Sequence, residues 1–147
     1  MNFRSEYRHY FKLLNHEWIS QYFEMEPYDH FVLENPEEAV LKNGGKIFFA
    51  QVDHEIVGTC SLTRINENIV ELGKMAVRSD RQKLGIGRVM LLHAIIQARE
   101  ERYNIMTLYS NTKLVNAINM YINAGFRLIP KTDFHSQRAN IKMSLTL

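Results

Sequence analysis

From Ile69 onward the chain spells a strand, a helix and a second strand that a simple hairpin cannot join. Ile69 to Val77 reads as a strand, and Arg78 to Lys83 as a polar loop. A long helix follows from about Gly85 to Arg102, carrying Ile86, Val89, Met90, Leu92, Ile95 and Ile96. Ile105 to Tyr109 is then an apolar run without alternation, the pattern of a strand covered on both faces. A helical crossover of this length makes the two strands parallel members of one sheet and fixes the hand of their connection. The helix is apolar around much of its circumference, so it is expected to be covered on more than one side.

The segments on either side fill out the same architecture. Phe11, Leu14, Trp18, Ile19 and Tyr22 recur at three- and four-residue steps, giving an N-terminal helix, with Asn15 placed to cap a second one after a break. Asp29 is placed to cap a short turn through Leu33, and Pro36 suits the first position of a helix ended by Gly44-Gly45. There the period becomes strand-like. Lys46 to Val52, a turn at Asp53-His54-Glu55, and Ile56 to Thr63 form a hairpin, and Ile69 to Val77 completes an antiparallel meander. Downstream, Thr112 is placed to cap a helix running to Asn123, Gly125-Phe126 begins another strand, and Ile141 to Leu147 is the last. The order predicts one α/β domain spanning residues 1–147, with a mixed sheet.

Composition narrows the functional classes. With 147 residues, 46% hydrophobic and 23% charged, the chain can bury a real core. A net charge of +2 without a dense Lys/Arg run gives no reason to expect a nucleic-acid partner. Cys60 is the only cysteine, so no intramolecular disulfide or thiolate cluster can form; a buried thiol is the expectation. The six histidines, His9, His16, His30, His54, His93 and His135, show no metal-ligand spacing, and His93 is expected to be a packed core residue. No signal-peptide core opens the sequence and no run approaches a membrane span, so a cytoplasmic protein without a membrane partner is expected.

The loop before the long helix carries the chemistry. Gly85 and Gly87 allow a tight turn and close approach to a ligand at a helix N-terminus, where unpaired N–H groups face outward. Arg81, Lys83 and Arg88 add positive charge, so the turn suits a pyrophosphate. A dinucleotide fingerprint would need a third glycine where Met90 stands, and a phosphate loop would need Lys-Ser/Thr where Arg88-Val89 follows Gly87.

Two blocks resemble the GNAT superfamily of N-acetyltransferases. The first runs from Glu71 through Met75-Ala76-Val77 to Gln82-Lys83-Leu84-Gly85-Ile86-Gly87, which matches the family's Q/R-x-x-G-x-G/A signature. The second runs from Tyr109-Ser110-Asn111 to Asn116-Ala117, Met120-Tyr121 and Gly125-Phe126, similar to the family's A-x-x-x-Y-x-x-x-G-F pattern. Leu14 to Ile19 and Tyr22 to Glu26 also look similar to a subgroup that occurs fused to MarR-type regulators. The resemblance implies the acyl-CoA N-acyltransferase fold: a mixed, mostly antiparallel central sheet flanked by helices. It also implies acetyl-CoA as co-substrate.

Roles follow from that resemblance. Backbone groups of Gln82, Lys83, Leu84, Gly85, Ile86 and Gly87, with Arg88, are expected to hold the pyrophosphate, and Met75, Ala76 and Val77 the pantetheine arm. Asn111, Ala117 and Tyr121 are expected on its other side. Glu71 is the candidate base, or a strand-edge glutamate paired with Lys74 or Arg64; Tyr121 is the candidate acid, or a packed helix tyrosine. Trp18, Tyr22, Asp29 and Arg138, with Glu26 and Phe134 to Gln137, are candidates for the acceptor side. Arg138 suits a bidentate grip on a carboxylate or a solvated strand start, while acidic residues near the mouth would favour a polyamine or other cationic amine.

The expected activity is therefore acetyl transfer to a primary amine, of a small molecule, by direct attack in a ternary complex. A protein N-terminus or lysine is the alternative acceptor, and a non-catalytic acyl-CoA-binding regulatory module is the rival from another class. The last strands of this fold often meet across a homodimer.

Overall fold

The computed structural model describes residues 1–131 and 138–147. Six strands form one sheet in the order β1-β2-β3-β4-β6-β5: β1 Lys46–Val52, β2 Glu55–Arg64, β3 Ile69–Val77, β4 Ile105–Ser110, β5 Arg127–Ile129 and β6 Ile141–Thr146. Every pairing is antiparallel except β3 with β4, the pair joined by helix α3, Ile86–Glu100. The remaining long helices are α1 Arg8–Tyr22, α2 Pro27–Glu34 and α4 Val115–Asn123.

Each face of the sheet carries its own core. Met90, Leu91, Ala94, Ile95 and Ala98 of α3 pack on Val70, Leu72, Met106, Leu108 and Met143. On the other face Phe11 and Leu14 of α1 join Val32, Leu33, Val40, Ile47, Phe49 and Ala76. The β1–β2 turn is tighter than the expected Asp53-His54-Glu55: Asp53 and His54 alone form it, both at positive φ, and Glu55 already pairs with Val52 in β2. Gly45 enters β1 where nothing larger fits, since a β-carbon there would lie 2.4 Å from the Val40 carbonyl oxygen.

Several local expectations are corrected. The N-terminal helix does not break at Asn15, which is buried within α1; its amide donates to the Phe11 carbonyl and its oxygen accepts from the Trp18 indole. Asp29 does not cap a turn. It occupies the third position of α2, behind Glu26 as N-cap and Pro27, and closes a reciprocal capping box with Glu26. Helix α3 is covered on one side only: Val89, Leu92 and Ile96 are exposed, because the sheet takes the Met90, Leu91, Ala94, Ile95, Ala98 stripe and no element covers the rest among the described residues. His93 is likewise exposed, with its ring edge-on to Phe48 at 4.8 Å. Leu114, not Thr112, stands before α4. No helix among the described residues is long and apolar enough to cross a membrane.

The feature that positions the site is a bulge in β3. Thr59 pairs with Ala76 and Ser61 with Gly73, so Cys60 alone faces both Lys74 and Met75. Lys74 takes up the extra residue in the left-handed region at φ +48°, and the Ser61 hydroxyl donates to the Gly73 carbonyl at 3.0 Å. One extra residue reverses which face each side chain meets. Val70 and Leu72 lie in the α3 core, whereas beyond the bulge Ala76 lies in the opposite core and Met75 and Val77 pack toward α3.

Candidate active site

β3 and β4 pair only from Ile69 to Leu72 and from Ile105 to Leu108. Past Leu72 the bulged end of β3 departs, while Tyr109 and Ser110 of β4 stay paired with β6. The strands splay, and among the described residues no strand pairs with the backbone groups of β3 from Gly73 to Val77 on that side. A cleft of about 840 Å³ opens there, bounded by the β3 edge, the start of α3, α4, and α1 with α2.

The α3 end of the cleft is an anion cradle. Lys83 (φ +64°) and Gly85 (φ +82°) both adopt the left-handed region, curling the loop so that its backbone lines the wall. The first helical bond of α3 runs from the Val89 N–H to the Gly85 carbonyl at 3.1 Å, so the N–H groups of Ile86, Gly87 and Arg88 have no carbonyl within the helix to receive them. Neighbouring side chains brace the loop. The Gln82 amide donates to the Val77 carbonyl at 3.2 Å, and Glu55 at the start of β2 holds Arg78 and Arg81. Arg81, Lys83 and Arg88 all line this end. The donors, their direction and the positive charge fit a diphosphate.

Of the residues expected to hold the co-substrate, Met75, Ala76, Val77, Gln82, Lys83, Gly85, Ile86, Gly87, Arg88, Asn111, Ala117 and Tyr121 all lie on this wall. Leu84 does not. Its side chain is 66% exposed and points away from the cleft, because the turn that presents Gly85 inward sends Leu84 outward. Asn111 lies on the wall with its amide engaged in shaping it: Nδ2 donates to the Arg138 carbonyl at 2.5 Å and Oδ1 accepts from the Lys113 N–H at 2.9 Å.

Glu71 and Tyr121, on different elements, share the cleft. Glu71 precedes the bulge on the face away from α3, with Thr63 and Thr107 opposite it. Tyr121 packs edge-on to Phe126 at 5.8 Å, and burial first, then the Cys60 thiol, pushes its phenol up to about 12. Cys60 is fully buried, and burial pushes its thiol up to about 12 as well. Both groups keep their protons at neutral pH.

The far end is built from side chains. Trp18, Tyr22 and Arg138 line it, as do Phe23, Tyr28 and Lys74, which the sequence did not single out for the acceptor side. Asp29 does not reach the wall. It is 1% exposed, and its carboxylate accepts from the Lys74 ammonium (2.6 Å), the Arg138 guanidinium through both terminal nitrogens (2.6 Å to Nη2), and the Glu26 N–H (2.9 Å). Arg138 also reaches Glu26 at 3.0 Å and lies over the Trp18 ring. Burial alone would raise the Asp29 carboxyl, but hydrogen bonds from Arg138 and the charge of Lys74 outweigh it and hold the group well below the usual carboxylate range. Burial pulls the Lys74 ammonium down, with Asp29 opposing it. The one sequence signal for this arrangement was Gly73, a glycine inside a strand and hence a pointer to a bulge. Phe134, His135, Ser136 and Gln137 lie outside the described residues.

Residues 8–126 match the model of the acetyltransferase (GNAT) family. The chain belongs to that family. This GNAT protein is an acyltransferase that takes acetyl-CoA as co-substrate. It is 24% identical over 106 residues, 70% of its length and 68% of the relative's, to a Bacillus subtilis (strain 168) protein named Uncharacterized N-acetyltransferase YvbK. A GNAT-family acetyltransferase from Staphylococcus aureus Mu50 superposes with a TM-score of 0.88 at 25% identity, over 99% of this chain and 96% of that one. YncA from Salmonella typhimurium, solved with acetyl-CoA, shares the fold at a TM-score of 0.76 and 14% identity, over 99% of this chain and 91% of that one. The GNAT fold accounts for both the splay and the cradle: the first provides a free strand edge, the second a helix N-terminus aimed at it.

Proposed function

We propose that residues 1–147 act as one catalytic domain that transfers acetyl from acetyl-CoA to the primary amine of a small molecule, by direct attack in a ternary complex. The observation that carries this reading is the cleft itself: one continuous wall joins the anion cradle, an unpaired strand edge, Glu71 and Tyr121. Acetyl-CoA supplies an activated acyl carbon and a thiolate leaving group. The N–H groups of residues 82–88 hold the diphosphate, and the β3 edge at Met75, Ala76 and Val77 pairs with the pantetheine amides as an added strand would. A backbone N–H on that edge polarises the thioester carbonyl. Glu71 takes the proton from the acceptor ammonium, directly or through a water, and Tyr121 donates to the departing sulfur. Aromatic residues at the far end, Trp18, Tyr22, Phe23 and Tyr28, give the cleft an apolar lining suited to a small acceptor.

The direct test mixes the protein with acetyl-CoA and a panel of small amines and follows free thiol. Amine-dependent release is expected, and Glu71→Gln should lower kcat by about 10²–10⁴-fold with the KM for acetyl-CoA unchanged. Tight CoA binding without thiol release across the panel would mark the protein as a binding module instead.

A further inference from the structure

The charged groups at the acceptor end are arranged for a task that the amine alone does not explain. Asp29 is buried, and it gathers Lys74 from the β3 bulge and Arg138 from the segment before β6 onto one carboxylate. Their side chains are only 12% and 14% exposed, yet both line the cleft beside Glu71, so what they expose faces the acceptor space. An ammonium carries three N–H groups and a guanidinium five. Asp29 takes one from Lys74, and Asp29 with Glu26 takes three from Arg138. Among the described residues this leaves two N–H groups on each cation without an assigned acceptor. Donors so placed are available to water or to a ligand anion in the cleft, beside the Tyr28 ring over which the Lys74 ammonium lies at 5.7 Å.

We propose that the acceptor is a compact amino acid-like molecule, whose carboxylate is held by Lys74 and Arg138 while its amine is presented to Glu71. The inference rests on the acetyltransferase reading above. Asp29 fixes the two cations in advance, so a planar carboxylate meets pre-positioned donors rather than mobile ones. Glu71 and Lys74 are three residues apart on β3, which puts their backbones within about 10 Å of each other. That span suits an amine and a carboxylate separated by a few bonds. A diamine of similar length would instead set its second cation against Lys74 and Arg138. Asp29 contributes no acidic surface to attract it, because its carboxylate is buried.

The test compares kcat/KM for a set of L-α-amino acids, each beside its amide and its decarboxylated amine. The amide and the amine bracket the acid in amine basicity, so nucleophile strength cannot mimic the effect. The acids are expected to be better by about tenfold or more, chiefly through KM. In Arg138→Gln that ratio should fall to within about twofold, and Lys74→Met should lower it in the same direction. Acetyl-CoA affinity measured on the same samples separates lost folding from lost discrimination. If wild-type protein acetylates the decarboxylated amines or diamines as well as the acids, the carboxylate inference fails and the acetyltransferase reading stands. A ratio that survives in folded Arg138→Gln and Lys74→Met also overturns the inference. No thiol release with any amine overturns both.

Discussion

At the α3 end of the cleft the groups that face a ligand are main-chain N–H donors, set by two left-handed residues and a helix start. At the α2 end they are side chains drawn from α1, α2, β3 and the segment before β6, and one buried carboxylate ties Lys74 of β3 to Arg138. The first construction is local: its residues lie within one stretch of chain and survive most side-chain changes. The second joins residues 45 and 109 positions apart and depends on every partner. A diphosphate is common to every acetyl-CoA the protein meets, whereas the acceptor must be distinguished from other amines, and the two constructions suit those two tasks.

The sharpest break between the halves should come from Asp29→Asn. It keeps the shape of the side chain but leaves two buried cations facing a neutral amide, a change worth roughly 3–5 kcal/mol. A lower denaturant midpoint is the expected readout, with acceptor KM raised more than acetyl-CoA KM in whatever fraction stays folded. The pH dependence gives an independent check. The folded-state pKa of Asp29 lies below its unfolded value, so its stabilisation is present above about pH 4 and is lost as pH falls toward the folded value. Asp29→Asn should therefore lose stability at neutral pH and show a flatter acid limb. An unchanged midpoint would mean that the hub does not hold the acceptor end.

That hub also marks where the sequence stops being legible. β1 and β3 were predicted to the residue, and the glycine loop was legible as an anion-binding turn, because alternation and left-handed turns are local properties; its cofactor came from the resemblance of two sequence blocks to the GNAT family. Asp29 was legible as an acid near a helix start, but not as the partner of Lys74 and Arg138. Nothing in a linear pattern records a contact over 109 positions. Lys74 is a non-glycine residue at positive φ, a conformation set by the strand register and not by its own propensity. The exposed face of α3 was misread for a related reason. Val89, Leu92 and Ile96 have the spacing of a buried stripe, and only the tertiary fold shows that nothing among the described residues covers them.

Tyr121→Phe probes the point where the halves meet. A phenol near 12 gives up its proton less readily than an ordinary thiol near about 8.5, so complete transfer to the sulfur is uphill by roughly 5 kcal/mol. A hydrogen bond that strengthens as the thiolate develops is the more effective role. The expected loss is about 10–100-fold in kcat, at or below the low end for proton-transfer catalysis, with acetyl-CoA affinity unchanged. Unaltered turnover would remove Tyr121 from the mechanism.

Within the cofactor half, Gly85→Ala separates backbone from side chain. A β-carbon at Gly85 meets nothing within 4 Å, so any effect comes from holding alanine at φ +82°. That costs roughly 1–2 kcal/mol, read as about five- to thirtyfold weaker acetyl-CoA binding if the loop relaxes out of shape. Binding that stays as tight as in the wild type would show that the left-handed turn is not needed to present the N–H groups.

Leu84→Ser should have the smallest effect, and it asks the same question from the opposite side. Leu84 lies inside the signature, between two residues on the cleft wall, so position in the motif alone would make it a contact. Its side chain is 66% exposed and off the wall, and serine supplies the same backbone N–H. Replacing a largely exposed surface leucine is ordinarily worth no more than about 0.5 kcal/mol, so both the acetyl-CoA KM and the thermal midpoint should stay close to wild type. A KM raised by about tenfold would place the side chain against the ligand when it binds. The loop would then close on its co-substrate through side chains as well as main chain, and the contrast between the two ends of the cleft would narrow to one of sequence distance.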